Sequence, residues 1–132
     1  MKKKICCVVQ RYGMEVNGGA ELHCRQISER LTPFYDVEVL TTKAIDYMSW
    51  KDEYSEDEEI LNSVKVRRFS VAVERNMDKF NEINNRFMLG QLPAIEEKDW
   101  MDAQGPYVPK LIEYITAHKR DYDVFIFFTY LY

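Results

Sequence analysis

Apolar residues follow two rhythms along this chain. Ile5 to Val9 and Val124 to Phe128 are uninterrupted apolar runs, the pattern of strands covered on both faces. Tyr35 to Thr41, with Val37, Val39 and Leu40, also reads as a strand. Val64-Lys65-Val66-Arg67-Arg68-Phe69 alternates at its start, which predicts one wet face or an edge position. Between these strands the spacing lengthens to that of helices. Ala20, Cys24, Ile27 and Leu31 recur four, three and four residues apart and predict a helix from about Gly19 to Leu31, stopped by Thr32-Pro33. A second helix is predicted from about Glu74 to Gly90, with Phe80, Ile83, Asn84 and Phe87 on one side. A weaker helical piece surrounds Trp100 and Met101. Pro109 suits the first turn of another helix, striped by Val108, Leu111, Ile112 and Ile115 and ending near His118. Thr42 to Ser63 predicts a polar connection with no regular element.

Strands alternating with helices predict parallel pairing and an α/β, βαβ architecture. The doubly buried first and fourth strands belong inside the sheet and the third at its edge. This predicts a Rossmann-like parallel sheet of order 3-2-1-4 with helices on both faces. In that order the sheet reverses between strands one and four, where ligands bind beyond the carboxyl ends. The loop after strand one ends in Asn17-Gly18-Gly19 and opens into a helix. Adjacent glycines let backbone N–H groups approach a ligand with no Cβ in the way, and the helix N-terminus favours phosphate. Asn17, Gly18, Gly19 and Glu21 are therefore the phosphate-side candidates, although a plain strand-to-helix connection fits the same residues. Right-handed crossovers bring Gln104-Gly105-Pro106-Tyr107 and Thr129 to Tyr132 to the same rim. Tyr107, Thr129 and Tyr130 thus become candidates for contacting a second substrate, with the long segment between residues 70 and 107 beside them.

Composition changes this picture only locally. Hydrophobic residues at 46% and charged residues at 30% of 132 exclude disorder and fit one globular domain. Six of the eight residues Asp52 to Glu59 are acidic; without them the formal charge turns from −4 to +2, so the acidity is one solvated loop. No clustered Lys and Arg marks a nucleic-acid footprint. Lys2 to Lys4 precede only five apolar residues, too few for a secretory segment, and no run is long enough to span a bilayer. Cys6 and Cys7 point to opposite faces of a strand and Cys24 stands alone, with no C-x-x-C. These read as reduced core thiols of a cytoplasmic protein, with no metal and no bound cofactor expected. His23 lies off the inward stripe of its helix, and the helix dipole accounts for His118. Asp36 and Asp123 read as turn residues.

The chain resembles the start of a GT-B glycosyltransferase of family 4, a group of retaining sugar transferases. Asn17-Gly18-Gly19-Ala20-Glu21 with His23 is similar to the family's glycine-rich loop and first helix. Asp36 to Thr42 resembles its second strand, and Val64 to Phe69 with Glu74-Arg75 the strand and turn that follow. Gln104-Gly105-Pro106 with Pro109 and Leu111, ahead of Tyr122 to Phe128, resembles a segment found in some of these enzymes.

The resemblance implies transfer of a sugar from a nucleotide-diphosphate-sugar to an acceptor hydroxyl, without metal. Residues 1–132 would form the acceptor-side N-terminal domain, truncated and inactive alone. A donor-binding C-terminal domain with its E-x7-E pair would lie beyond. Gly18 and Gly19 would face the leaving diphosphate, where charge stabilisation is needed. The acceptor would be a glycan or lipid-linked molecule of bacterial surface glycan synthesis. The resemblance allows peripheral attachment of the full-length enzyme to the inner face of the membrane. The fragment itself would self-associate through exposed apolar surface. A His that some members carry past the fourth strand has no counterpart in Phe128-Thr129-Tyr130.

Two other classes remain open. A dinucleotide-dependent oxidoreductase fragment would want G-x-G-x-x-G and an acid ending the second strand, where Leu40-Thr41-Thr42-Lys43 has none. A stand-alone flavodoxin-like binding module would want a phosphate pocket and a fifth strand.

Overall fold

The computed structural model of the chain describes residues 2–129. They form an α/β fold with one five-stranded mixed sheet. In chain order the elements are β1 (Lys4–Val8), α1 (Gly19–Leu31), β2 (Asp36–Thr42), β3 (Glu58–Leu61), β4 (Val64–Phe69), α2 (Met77–Met88), α3 (Glu97–Gln104), α4 (Pro109–His118) and β5 (Val124–Phe127). Short 3₁₀ turns at Ala94–Glu96 and Lys119–Asp121 precede α3 and β5.

The sheet order is β3-β4-β2-β1-β5. β1 pairs in parallel with both β2 and β5, so Cys7 sits between Val39 and Ile126. The four expected strands keep their relative order, but the expected four-stranded parallel sheet is corrected. β3 adds an antiparallel edge to β4, which is thereby an inner strand. β5, expected inside, is the other edge among the described residues, with Val124 and Phe127 exposed.

β3 comes from the acidic run, which is corrected from a solvated loop. Glu58 pairs with Arg67 and Glu59 with Arg68, while Asp57 binds Lys43 at 2.7 Å. Opposite charges facing across strands stabilise a pair by about 0.2–1 kcal/mol relative to alanines. Asn62 and Ser63 close the hairpin with φ of 50° and 70°, the left-handed pair that matches strand twist in a two-residue turn.

Strand alternation then divides the core. One face carries Ile5, Cys7, Val9, Val37, Val39, Val64 and Val66 against Cys24 and Ile27 of α1. The other carries Cys6, Leu40 and Tyr122 against Leu111, Tyr114 and Ile115 of α4. Cys6 and Cys7 do face opposite ways, and burial raises the Cys6 thiol to about 12. The buried stripe of α1 differs from the expected one: Ser28 is buried and Ala20 is exposed. Three charged residues, Arg11, Glu38 and Arg68, are buried as well. Glu38 faces α4 with Lys4 and Arg67 as partners, and Arg68 faces α1 with Glu59 and the Tyr12 carbonyl. With α1 and α4 on opposite faces, the sheet reverses between β1 and β5. That places a crevice at their carboxyl ends.

Candidate functional site

The crevice is built first from the loop after β1. Gly18 caps α1 with φ 150° and ψ 149°, a conformation in practice open only to glycine. No side chain caps the helix there, so its first N–H groups are exposed donors at the positive end of the dipole. Around Gly19 there is open space: a Cβ built on it meets nothing within 4 Å. His23, one turn on, sets its ring edge-on to Phe128 at 5.6 Å. The glycine pair therefore stands outside the packed interior, beside the tip of β5.

Arg11 ties this loop to its neighbours. Its guanidinium donates to Glu21 Oε1 at 2.8 and 3.1 Å, to the Asn17 carbonyl at 2.8 Å and to the Ile45 carbonyl at 2.8 Å. Asn17 is thus held through its backbone. Glu21 is locked in an ion pair whose side chains are only 7% and 12% exposed.

Beyond Arg11 opens a cavity of about 420 Å³ lined by Gln10, Arg11, Glu21, Tyr47, Trp50, Arg75, Phe80 and Gln104. In the turn that carries Tyr47 and Trp50, Asp46 accepts from the Met48 N–H and from the Ser49 hydroxyl and N–H, and these bonds hold its carboxyl below the ordinary value. The opposite wall comes from the segment between β4 and α4, closed at its base where Val73 bridges Tyr107. The Gln104 carbonyl accepts from Trp50 Nε1 at 2.9 Å and from Arg75 Nε at 2.7 Å. Gly105, at φ 69°, allows this approach, since a Cβ would stand 2.9 Å from the Trp50 ring. The Arg75 guanidinium lies 5.3 Å from the Trp50 ring centre and 5.1 Å from that of Phe80, and Arg11 lies 5.4 Å from that of Tyr47.

No family model, curated protein or solved structure matches this chain.

Of the residues singled out in the sequence, Asn17, Gly18, Gly19 and Glu21 lie together in the loop and first turn of α1, and of them only Glu21 lines the cavity. Tyr107 lies at the base of the α2–α3 segment, where it lines other clefts. Thr129 sits with Phe128, Gln10 and Pro106 around a smaller apolar pocket of about 220 Å³. Tyr130 lies outside the described residues. Arg75, Phe80 and Gln104 belong to the rim segment expected between residues 70 and 107, whereas Tyr47 and Trp50 were not anticipated; Trp50 is a buried wall of the cavity. An aromatic residue in an otherwise polar connection was the available signal.

A larger cleft, about 880 Å³, opens among Lys2, Lys4, Asp36, Asp121 and Asp123. It lies at the amino ends of the parallel strands, the wrong end for a ligand of this fold class. Among the described residues no group of three His, Cys, Asp or Glu is placed to hold a metal ion. No helix among them is long and apolar enough to cross a membrane. The 420 Å³ lining holds the Arg11–Glu21 ion pair, the Arg75 guanidinium bonded to the Gln104 carbonyl, the rings of Tyr47, Trp50 and Phe80, and the amides of Gln10 and Gln104. Its one carboxylate is already paired.

Proposed function

We propose that this chain is the acceptor-side, Rossmann-like domain of a GT-B nucleotide-sugar glycosyltransferase. One observation carries the reading. The exposed glycine-capped start of α1 and the aromatic, arginine-lined cavity are contiguous, joined through Arg11 and Glu21. A sugar acceptor held against Tyr47, Trp50 and Phe80 presents a hydroxyl toward the glycine loop. There the free N–H groups meet charge building on the departing diphosphate. The lining supplies no unpaired acid or base, so the domain binds and stabilises, and the transfer step needs groups from a donor-binding partner domain. The fifth strand does not favour a flavodoxin-like module, because β3 is an antiparallel edge on β4 rather than part of a parallel run.

The test is an amide-resolved NMR titration. Inorganic pyrophosphate, a probe of the leaving group, is expected to shift the Gly18, Gly19 and Ala20 amides. A soluble disaccharide is expected to shift the Trp50 indole N–H. Unmoved glycine amides, or saturable binding of NAD or FMN at the same loop, would overturn the reading.

A further inference from the structure

Asn17 and Gly18 form the one Asn-Gly step in the sequence. Both are exposed, and among the described residues the Gly18 N–H donates to no acceptor and the Asn17 side chain makes no hydrogen bond. The Asn17 backbone carbonyl, in contrast, accepts from Arg11 Nη2 at 2.8 Å. That oxygen belongs to the peptide whose nitrogen is Gly18 N. Charge left when Gly18 N loses its proton therefore spreads onto an atom already bonded to a guanidinium, and a hydrogen bond to the charged form favours that form. Glu21 adds a proton acceptor close by. Its Oε2 would lie 2.2 Å from a Cβ built on Gly18, while both bonds from Arg11 go to Oε1. Gly18 has no side chain to crowd a ring closed on its nitrogen, and the space around Gly19 is open.

The other asparagines are held. Asn62 Nδ2 donates to Glu29 at 2.7 Å, and Asn76 Oδ1 accepts from Lys79 N at 3.1 Å. Asn81, Asn84 and Asn85 lie inside α2, where the next N–H is committed to the helix. We propose that Asn17-Gly18 is a self-modification site, at which the folded loop promotes conversion of the asparagine to aspartate and isoaspartate through a cyclic imide. Gly18 N, having lost its proton, attacks Asn17 Cγ and forms the N–Cγ bond; the Cγ–Nδ2 bond breaks and ammonia leaves. Water then adds to either imide carbonyl and opens the ring, leaving one carboxylate and releasing one proton. In isoaspartate the chain runs on through Cγ, and the carbonyl that Arg11 holds becomes the carboxylate. In aspartate the carboxylate is the side chain, just ahead of the uncapped N–H groups of α1, where the helix dipole favours negative charge. The inference stands apart from the sugar-transfer proposal, since the reaction needs no ligand.

The experiment ages the full chain at mildly alkaline pH, folded in buffer and unfolded in urea, and follows the tryptic peptide of residues 12–25 by mass spectrometry. The instrument reads the exchange of an amide NH₂ for OH, and an isoaspartate-specific methyltransferase reads the isomer. Conversion at Asn17 is expected to be several-fold faster in the folded chain than in the unfolded one, and to quicken as pH rises. The held asparagines should stay intact over the same time. Asn17→Gln would need a six-membered ring and should remain unmodified, with circular dichroism verifying its fold. Conversion in the folded chain that is equal to or slower than in urea would overturn the proposal, because the loop would then protect the step rather than promote it. Asn62 converting as fast as Asn17 in the folded chain would overturn it as well.

Discussion

Gly18 and Gly19 are adjacent in sequence and opposite in what they tolerate. Alanine at Gly18 would be forced into φ 150°, ψ 149°, which costs about 1–3 kcal/mol. Its Cβ would also stand 2.2 Å from Glu21 Oε2 and 2.9 Å from Arg11 Nη2. The Glu21 carboxylate must then shift, which strains its bonds from Arg11, and charge-assisted hydrogen bonds of this kind contribute about 1.5–3 kcal/mol. Together these predict that Gly18→Ala destabilises by about 3–5 kcal/mol, lowering Tm by roughly 10–20 °C for a chain of this length. Gly19 is helical and faces open space. Gly19→Ala should stabilise by about 0.5–1 kcal/mol, because alanine loses less backbone entropy on folding. Urea unfolding followed by circular dichroism measures both. Equal shifts, or a cost below about 1 kcal/mol for Gly18→Ala, would refute the backbone argument. The same pair separates stability from binding. The Gly19 methyl enters the space over the exposed N–H groups, so that stable variant should bind pyrophosphate roughly tenfold more weakly, about 1.4 kcal/mol. Unchanged binding would show that the loop is only a connection between strand and helix.

Trp50→Phe keeps the wall of the cavity but removes the indole donor to Gln104; it should cost about 1–2 kcal/mol and speed hydrogen exchange at the base of the α2–α3 segment. Glu59→Gln removes the carboxylate from Arg68, whose side chain is 0% exposed; a loss of about 1–3 kcal/mol in urea unfolding is expected, most of it recovered by adding Arg68→Met. Glu15 is held below the ordinary carboxylate value chiefly by the Tyr54 hydroxyl, which donates to it at 2.6 Å. A depressed carboxyl stabilises the fold above its unfolded value near 4.5 and loses that contribution as pH falls through the lower folded value. The stability gap between the native chain and Tyr54→Phe should therefore narrow on acidification below 4.5, and urea midpoints at neutral and acid pH check it.

The positions of elements with a strong local apolar pattern were legible, their burial less so: among the described residues β5 is an exposed edge, and Ala20 and Ile112 of the expected helix stripes are exposed. β1, β2, β4, β5, α1 and α4 lie within a residue or two of where the apolar pattern puts them, because two-faced and one-faced coverage leave different local signatures. β3 was not legible, for a physical reason. Of its four residues only Ile60 and Leu61 are apolar, and Ile60 is 78% exposed. What holds β3 in place is Arg67 and Arg68 on the next strand, and its turn uses Asn62-Ser63 rather than the Asn-Gly that announces a hairpin. Arg68 hid for the converse reason. Strand alternation puts it on the same face as Val64 and Val66, yet its charge argued for water until Glu59, Tyr54 and the Tyr12 carbonyl supplied partners.

The site divides along the same line. Its glycine half is a local motif, a strand end running into a helix start, and so it stood out in the sequence. Its cavity half is assembled by one backbone acceptor. Trp50 and Arg75 are 54 and 29 residues from Gln104, and both donate to the same carbonyl oxygen. A carbonyl has no side-chain signature, so no hydrophobic pattern or residue spacing could mark Gln104 as the meeting point. What the sequence did offer was Gly105. A glycine at positive φ beside a buried indole is required wherever backbone must pass that close to a ring. Gly105→Ala therefore acts on the cavity without touching any ligand group. Its Cβ would displace the Trp50 ring from 2.9 Å, loosening the bond that joins the polar connection to the α2–α3 arm. The cavity should then lose its shape while the glycine loop of α1 keeps its exposed amides. A disaccharide that no longer shifts the Trp50 indole, together with pyrophosphate that still shifts Gly19, would show that the two halves of the site are built independently.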